Sequence, residues 1–130
     1  MDKDLARKAA KWWADHMRQG FIPDNGARDK SNVMAQGLAL MLQEQEAKSR
    51  TADGVQLFED KLANIFEKAT AQTYLLASVD YNPCHVLADA AQQAGINIGM
   101  ASLPWKTSMT YRDERVYVKA GYGAPLEELA

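Results

Sequence analysis

The chain contains 130 residues, of which 47% are hydrophobic and 25% charged, and it has a formal net charge of -2 and a pI near 5.6. This composition excludes an intrinsically disordered chain, and the length fits a single domain spanning residues 1–130. The weak negative charge argues against binding to long nucleic acid, because that affinity depends on neutralising phosphates with Lys and Arg.

Cysteine content and hydropathy indicate the compartment. A single cysteine forms no intramolecular disulfide and supplies no cysteine-rich zinc site, which favours a reducing environment. Residues 1–4 do not begin a secretory signal, and no uninterrupted apolar run approaches the roughly 20 residues that span a bilayer. We therefore expect a cytoplasmic protein that does not enter a membrane.

The first half of the chain has the periodicity of helices. Apolar residues recur at three- and four-residue steps over residues 3–19, which predicts an amphipathic helix. Residues 21–31 carry turn signals and predict a surface loop. Two further helices are predicted, one over residues 32–48 and one from residue 51 or 53 to about residue 70.

The second half changes to shorter patterns. Residues 73–79 predict a buried strand, and Asn82 as N-cap with Pro83 at the first helical position predicts a following helix that Gly95 ends. Residues 96–103 predict an extended loop with a short edge strand.

Alternation over residues 108–112 and 115–119 predicts a hairpin whose inner face carries Met109, Tyr111, Val116 and Val118. The predicted fold class is therefore α+β, with N-terminal helices packed on a small, mostly antiparallel sheet and a C-terminal hairpin.

Three loop-like segments in the last third combine aromatic rings with Gly or Pro: residues 80–85, 104–107 and 121–125. Rings beside polar or cationic groups are typical of a pocket for a flat, partly anionic ligand. The charged loop after the first helix adds a mobile cation that binds phosphate bidentately. The predicted ligand-binding residues are Arg28, Tyr81, Trp105, Lys106, Thr107, Gly121, Tyr122 and Gly123.

Each of these signals also has a structural alternative. Trp105 is alternatively a core residue beside an exposed lysine, Arg28 is alternatively a solvated loop cation, and residues 121–125 alternatively serve to turn the chain before its tail. The start of the fourth helix either attracts an anion or is simply capped. In the Trp12-Trp13 pair one ring is expected in the core, and the other either anchors an oligomer interface or packs beneath the loop at the second predicted helix.

Catalysis and metal binding have little sequence support. Cys84 and His85 are adjacent, so their side chains diverge at a helix start and do not form a nucleophile and base pair. His16 and His85 are the only two histidines, and neither stands at a zinc-ligand spacing from carboxylates. We expect no enzyme activity, no metal and no cofactor.

Five segments together carry a family resemblance: residues 11–15, 24–26, 80–83, 104–107 and 121–125. With them the chain resembles short phage and prophage proteins of Gram-positive gut bacteria. The resemblance implies a phage origin and a setting in an infected or lysogenic bacterial host. Small phage proteins of this size include inhibitors of host immunity, among them oligomeric sponges for cyclic nucleotide or cyclic ADP-ribose signals and anti-CRISPR proteins. It assigns a role to no individual residue.

Two functions of different classes follow. The first is a non-catalytic binder that sequesters a small nucleotide-derived immune signal, with a homo-oligomer expected because pockets often form between protomers. The alternative is a protein-binding inhibitor of a host defence enzyme, such as an anti-CRISPR, that uses an acidic face and exposed tryptophan anchors. A structural or packaging protein of the phage is a third possibility, which higher-order assembly would reveal.

Overall fold

The computed structural model describes residues 1–19, 50–99, 102–121 and 123–129. Within these ranges the chain forms three helices and four strands. In chain order they are α1 (Lys3–Gln19), α2 (Ala52–Glu67), β1 (Leu75–Val79), α3 (His85–Ala94), β2 (Thr107–Arg112), β3 (Arg115–Ala120) and β4 (Leu126–Glu128). The loop predicted over residues 21–31 and the helix predicted over residues 32–48 lie outside the described residues.

The two long helices follow their sequence patterns and pack against each other. Helix α1 covers the predicted span. Helix α2 begins after Thr51, whose side-chain oxygen accepts a hydrogen bond from the Gly54 amide at 2.9 Å, and it ends at Glu67 rather than near residue 70. Inward-facing Phe58, Leu62 and Phe66 are almost completely buried, as helical periodicity requires.

The described strands form one antiparallel sheet in the order β1-β2-β3-β4, which confirms the α+β class. The predicted hairpin is confirmed as β2 and β3, and its four predicted inner-face residues are buried. Asp113 and Glu114 join the two strands with φ angles of 53° and 62°. Two consecutive positive φ angles are the signature of the tight hairpin turn whose twist matches that of the strands.

Strand β4 has no counterpart in the sequence prediction, which assigns these residues to the tail. Val118 pairs with Glu127 and Lys119 pairs with Leu126, so the chain returns to the sheet after its last turn. All three residues of β4 are exposed, and such a short segment has no alternation to reveal it. The edge strand predicted within residues 96–103 is not found at the positions that the structure describes there. Residues 96–99 and 102–103 belong to no strand.

The predicted start of α3 is wrong by two residues. Cys84 is the N-cap, with φ -68° and ψ 169°, and Asn82 is not. The reason is that Pro83 forms a β-bridge with Val79, and the Cys84 amide donates to the Ser78 carbonyl at 2.9 Å. These contacts keep the segment extended alongside β1 for two more residues. The predicted end is confirmed, because Gly95 closes the helix in the left-handed conformation with φ 71°.

The core lies between the helices and the inner face of the sheet. Trp13 of α1 is fully buried, and its indole nitrogen donates to the Met109 sulfur of β2 at 3.3 Å. Trp12 is only half-buried, and its ring stacks on His16 with centroids 3.9 Å apart. The expectation that one ring of the Trp12-Trp13 pair belongs to the core is met by Trp13.

A network of charges joins α1 to α2. Glu59 is 6% exposed, and its carboxylate lies 3.3 Å from Arg7 and 3.4 Å from Arg18. Arg7 also binds Asp60 at 2.5 Å, while Asp15 receives Arg18 at 2.7 Å. Helices α1 and α2 therefore both supply carboxylates that pair with arginines of α1. The buried carboxylate, that of Glu59, lies close to two of these arginines.

Candidate functional site

Strand register brings the three predicted loop segments to one end of the sheet. Val79 of β1 pairs with Thr107 of β2, and Thr107 pairs in turn with Ala120 of β3. The residues that follow Val79, precede Thr107 and follow Ala120 therefore emerge side by side. We name Asp80, Tyr81, Trp105 and Lys106 the Lys106 cluster.

The backbone of Lys106 is in an unusual conformation. Its φ is 55°, in the left-handed region that a side chain disfavours by about 1–2 kcal/mol. Its amide donates to the Asp80 carbonyl at 2.9 Å, which ties the beginning of β2 to the end of β1. Backbone strain of this kind concentrates at functional sites, where surrounding contacts hold it in place.

The side chains of the cluster combine one cation with two rings. The Lys106 ammonium forms an ion pair with the Asp80 carboxylate and lies 4.6 Å from the centre of the Tyr81 ring. The Tyr81 and Trp105 rings meet edge to face at 5.2 Å. The ammonium is thus held on an aromatic surface, an arrangement in which attraction to the ring face adds to ion pairing.

The cluster is accessible from solvent. Tyr81 is 46% exposed, and the side chains of Asp80 and Lys106 are 71% and 33% exposed. Trp105 is half-buried and packs against the core. Trp105 therefore contributes both to the core and to a ring pair at the surface, and its predicted contact with a ligand stays a prediction.

Thr107 does not share this accessibility. It is 1% exposed, and its hydroxyl donates to the Trp105 carbonyl at 3.4 Å. The first residue of β2 turns its side chain to the inner face, because side chains alternate along a strand. The predicted donation from Thr107 to a ligand is therefore not part of this site.

Gly121 and Gly123 follow β3 at the same end of the sheet. Their φ angles are 104° and 74°, and a methyl group added at either position would meet nothing within 4 Å. Glycine is thus needed here for the backbone angle and not for a close approach. This geometry fits the structural alternative, a turn that returns the chain into β4. Tyr122 and Arg28 lie outside the described residues.

Two cavities lined by described residues lie away from the cluster. One of about 240 Å³ is bordered by Met1, residues 69–71 and the 111–114 hairpin end of β2 and β3. The other, of about 170 Å³, is a mainly apolar groove between the end of α2, the start of β1 and Val86. Neither is lined by any member of the Lys106 cluster.

Asp80 is the member of the cluster that sequence reasoning misses. Its local pattern indicates only a residue that disfavours an anion at the start of α3, yet its carboxylate and carbonyl both hold Lys106. The two residues are 26 positions apart, so only the pairing of β1 with β2 reveals their contact.

Neither a membrane span nor a metal site is found in the part of the chain that the structure describes: no helix there is long and apolar enough to cross a bilayer, and no group of three or more His, Cys, Asp and Glu side chains is placed to hold a metal ion. Comparisons with protein-family models, curated proteins and solved structures find no match to this chain.

Proposed function

We propose that the protein is a non-catalytic phage anti-defence protein that binds and sequesters a small nucleotide-derived signal at the Lys106 cluster. The observation that supports this proposal is the convergence of Tyr81, Trp105 and Lys106 at an exposed end of the sheet. The base and the phosphate of a nucleotide are a flat ring system and an anion, and the rings and the ammonium of the cluster offer a partner for each. Stacking of a base on an aromatic side chain contributes about 1–3 kcal/mol.

The ligand is a signalling molecule of the cyclic nucleotide or cyclic ADP-ribose type. Sequestration needs no chemistry beyond binding, which fits a cluster whose members are rings and an ion pair. We also propose a homo-oligomer, in which a second copy encloses the ligand against the exposed face of Tyr81. Light scattering coupled to gel filtration measures the oligomer, and a monomer that binds the ligand would contradict this part of the proposal.

Calorimetric titration tests the binding proposal. Cyclic dinucleotides, cyclic trinucleotides and ADP-ribose isomers are titrated into the protein, and at least one is expected to release heat and raise the melting temperature. Tyr81→Ala is expected to weaken the binding of that ligand by about tenfold or more, which corresponds to the loss of one stacking contact. Tyr74→Ala is the matched control, because Tyr74 is 63% exposed just before β1 and is not part of the cluster.

Two results would overturn the proposal. The first is the absence of heat and of any thermal shift across the whole panel. The second is equal weakening by Tyr81→Ala and Tyr74→Ala, which would place the ligand elsewhere.

The outer face of the sheet favours a second candidate function, a protein-binding inhibitor of a host defence enzyme. On the face away from the helices, Leu75 pairs with Thr110 and Lys119 pairs with Leu126. Leu75 and Leu126 are 52% and 54% exposed, where solvent-facing positions of a sheet are normally polar. Lys119 is exposed on this face beside Leu126, so the surface we propose is basic and apolar, unlike the acidic face expected from the sequence, and its occupant would be an acidic protein surface with apolar anchors.

Affinity purification with matched variants tests this second candidate. Leu126→Glu places an acid on the outer face, whereas Leu57→Glu places one on α2, where Leu57 is 40% exposed. A bacterial polypeptide retained by the wild type and by Leu57→Glu, but lost with Leu126→Glu, would support protein binding. Retention by all three proteins, or a nucleotide absorbing at 260 nm released on heating, would count against it.

A further inference from the structure

We propose that the Asp80 carboxylate occupies the position of the ligand's anionic group, and that a phosphate-bearing ligand displaces it from the Lys106 ammonium. This inference rests on the proposed function, since it concerns the same cluster. It makes Asp80 a specificity-determining residue and not merely a partner of the lysine.

The two members of the ion pair are held very differently. The Lys106 backbone is fixed by its hydrogen bond to the Asp80 carbonyl, and its ammonium rests on the Tyr81 ring. The Asp80 side chain is 71% exposed, against 33% for Lys106. An ion pair this exposed contributes little to stability, because water competes for both charges. The carboxylate can therefore swing into solvent while the ammonium stays in place.

Displacement follows from the chemistry of the two anions. A lysine ammonium carries three donors on a point charge and binds phosphate oxygens as readily as carboxylate oxygens. A phosphate brought to this ammonium would also meet the Asp80 charge, and like charges at contact distance repel. The carboxylate must leave for the phosphate to bind closely, so every anion loses part of its affinity to this competition.

This competition selects for ligands with two features. Among the four described residues of the cluster, a free anion has only the Lys106 ammonium to bind, so the Asp80 carboxylate excludes it. A nucleotide gains in addition from contact with the exposed ring of Tyr81, which offsets the cost of displacing Asp80. We therefore infer that Asp80 restricts the cluster to anions that carry a flat ring, and keeps it closed to inorganic phosphate and pyrophosphate.

Asp80→Asn tests the inference by calorimetry. Neutralising this residue is expected to tighten the binding of whichever cyclic nucleotide or ADP-ribose isomer the wild type binds, by about three- to tenfold, as removal of one adjacent like charge predicts. Inorganic pyrophosphate is expected to show measurable binding to Asp80→Asn and none to the wild type. Asp89→Asn is the matched control, because it changes the net charge equally at an exposed position on α3.

A double variant separates the pair from a general charge effect. When Asp80→Asn is added to the Lys106→Met variant, it is expected not to tighten ligand binding. The reason is that both substitutions act through the same contact between Asp80 and Lys106. Equal tightening by Asp80→Asn and Asp89→Asn, or tightening that persists in Lys106→Met, would overturn the inference and leave the proposed function standing. Absence of binding by the wild type and by all variants would overturn the proposed function itself.

Discussion

Asp15 on α1 and Asp60 on α2 each have a lowered pKa, which makes the stability of the fold depend on pH. The hydrogen bond from Lys11, with a further one from Arg18, lowers the pKa of Asp15. The hydrogen bond from Arg7, with a further one from Gln56, lowers the pKa of Asp60. Both folded-state pKa values therefore lie below those of the unfolded chain, so the carboxylates stabilise the fold above the unfolded pKa of about 4.

This stabilisation is lost as the pH falls through the lowered folded pKa values. The free energy of unfolding, measured in urea from pH 7 to pH 2, is expected to decline below about pH 4. The combined change Asp15→Asn and Asp60→Asn should flatten that decline. The effect will be small and will shrink with added salt, because the two side chains are 36% and 43% exposed. An unchanged pH profile in the double variant would refute the assignment.

At the scale of single elements, the turn of the β2–β3 hairpin contains backbone strain that substitution can relieve. Asp113 and Glu114 both adopt positive φ, which Asn and Gly tolerate better. The combined change Asp113→Asn and Glu114→Gly is expected to raise the free energy of unfolding by about 1 kcal/mol. Urea denaturation measures the change, and Arg115→Gly, at the first position of β3, should instead destabilise. Destabilisation by the turn replacement would contradict the turn geometry.

The sequence predicts this hairpin well because its residues alternate between faces, with Met109, Tyr111, Val116 and Val118 all inward. It predicts Gly95 equally well, because a left-handed helix end requires glycine. It fails at Asn82 and Pro83, where local capping preference competes with a tertiary contact, the bridge from Pro83 to Val79. Local pattern therefore identifies the long helices and the hairpin, whereas long-range pairing decides where α3 begins and adds strand β4, which local pattern misses.

At the scale of the whole molecule, the contrast between Trp12 and Trp13 tests the packing of helices on the sheet. Trp13→Phe removes the bond to Met109 and leaves a void in a fully buried site, which is expected to cost about 1–3 kcal/mol. Trp12→Phe retains most of the stacking on His16 at a half-buried position, and should cost less than about 1 kcal/mol. Denaturation followed by circular dichroism measures both, and equal costs would contradict this packing.

The candidate site depends on how distant segments of the chain pair. The sequence predicts its side chains but not their arrangement. Tyr81, Trp105 and Lys106 stand out as ring and cation signals, but nothing local shows that they meet. Their meeting depends on the antiparallel register of β1 and β2, which places Asp80 beside Lys106. Thr107 adjoins Lys106 in sequence, which suggests a shared site, but strand alternation turns its side chain inward.

The position of Trp105 has a practical consequence for spectroscopy. Of the three tryptophans in the chain, Trp13 is sealed in the interior and Trp12 lies against His16, whereas Trp105 touches Tyr81 beside the lysine. Its emission therefore reports on this corner of the molecule without any attached dye. In the Trp12→Phe background, a shift or quenching of fluorescence on adding a candidate signal gives an optical titration.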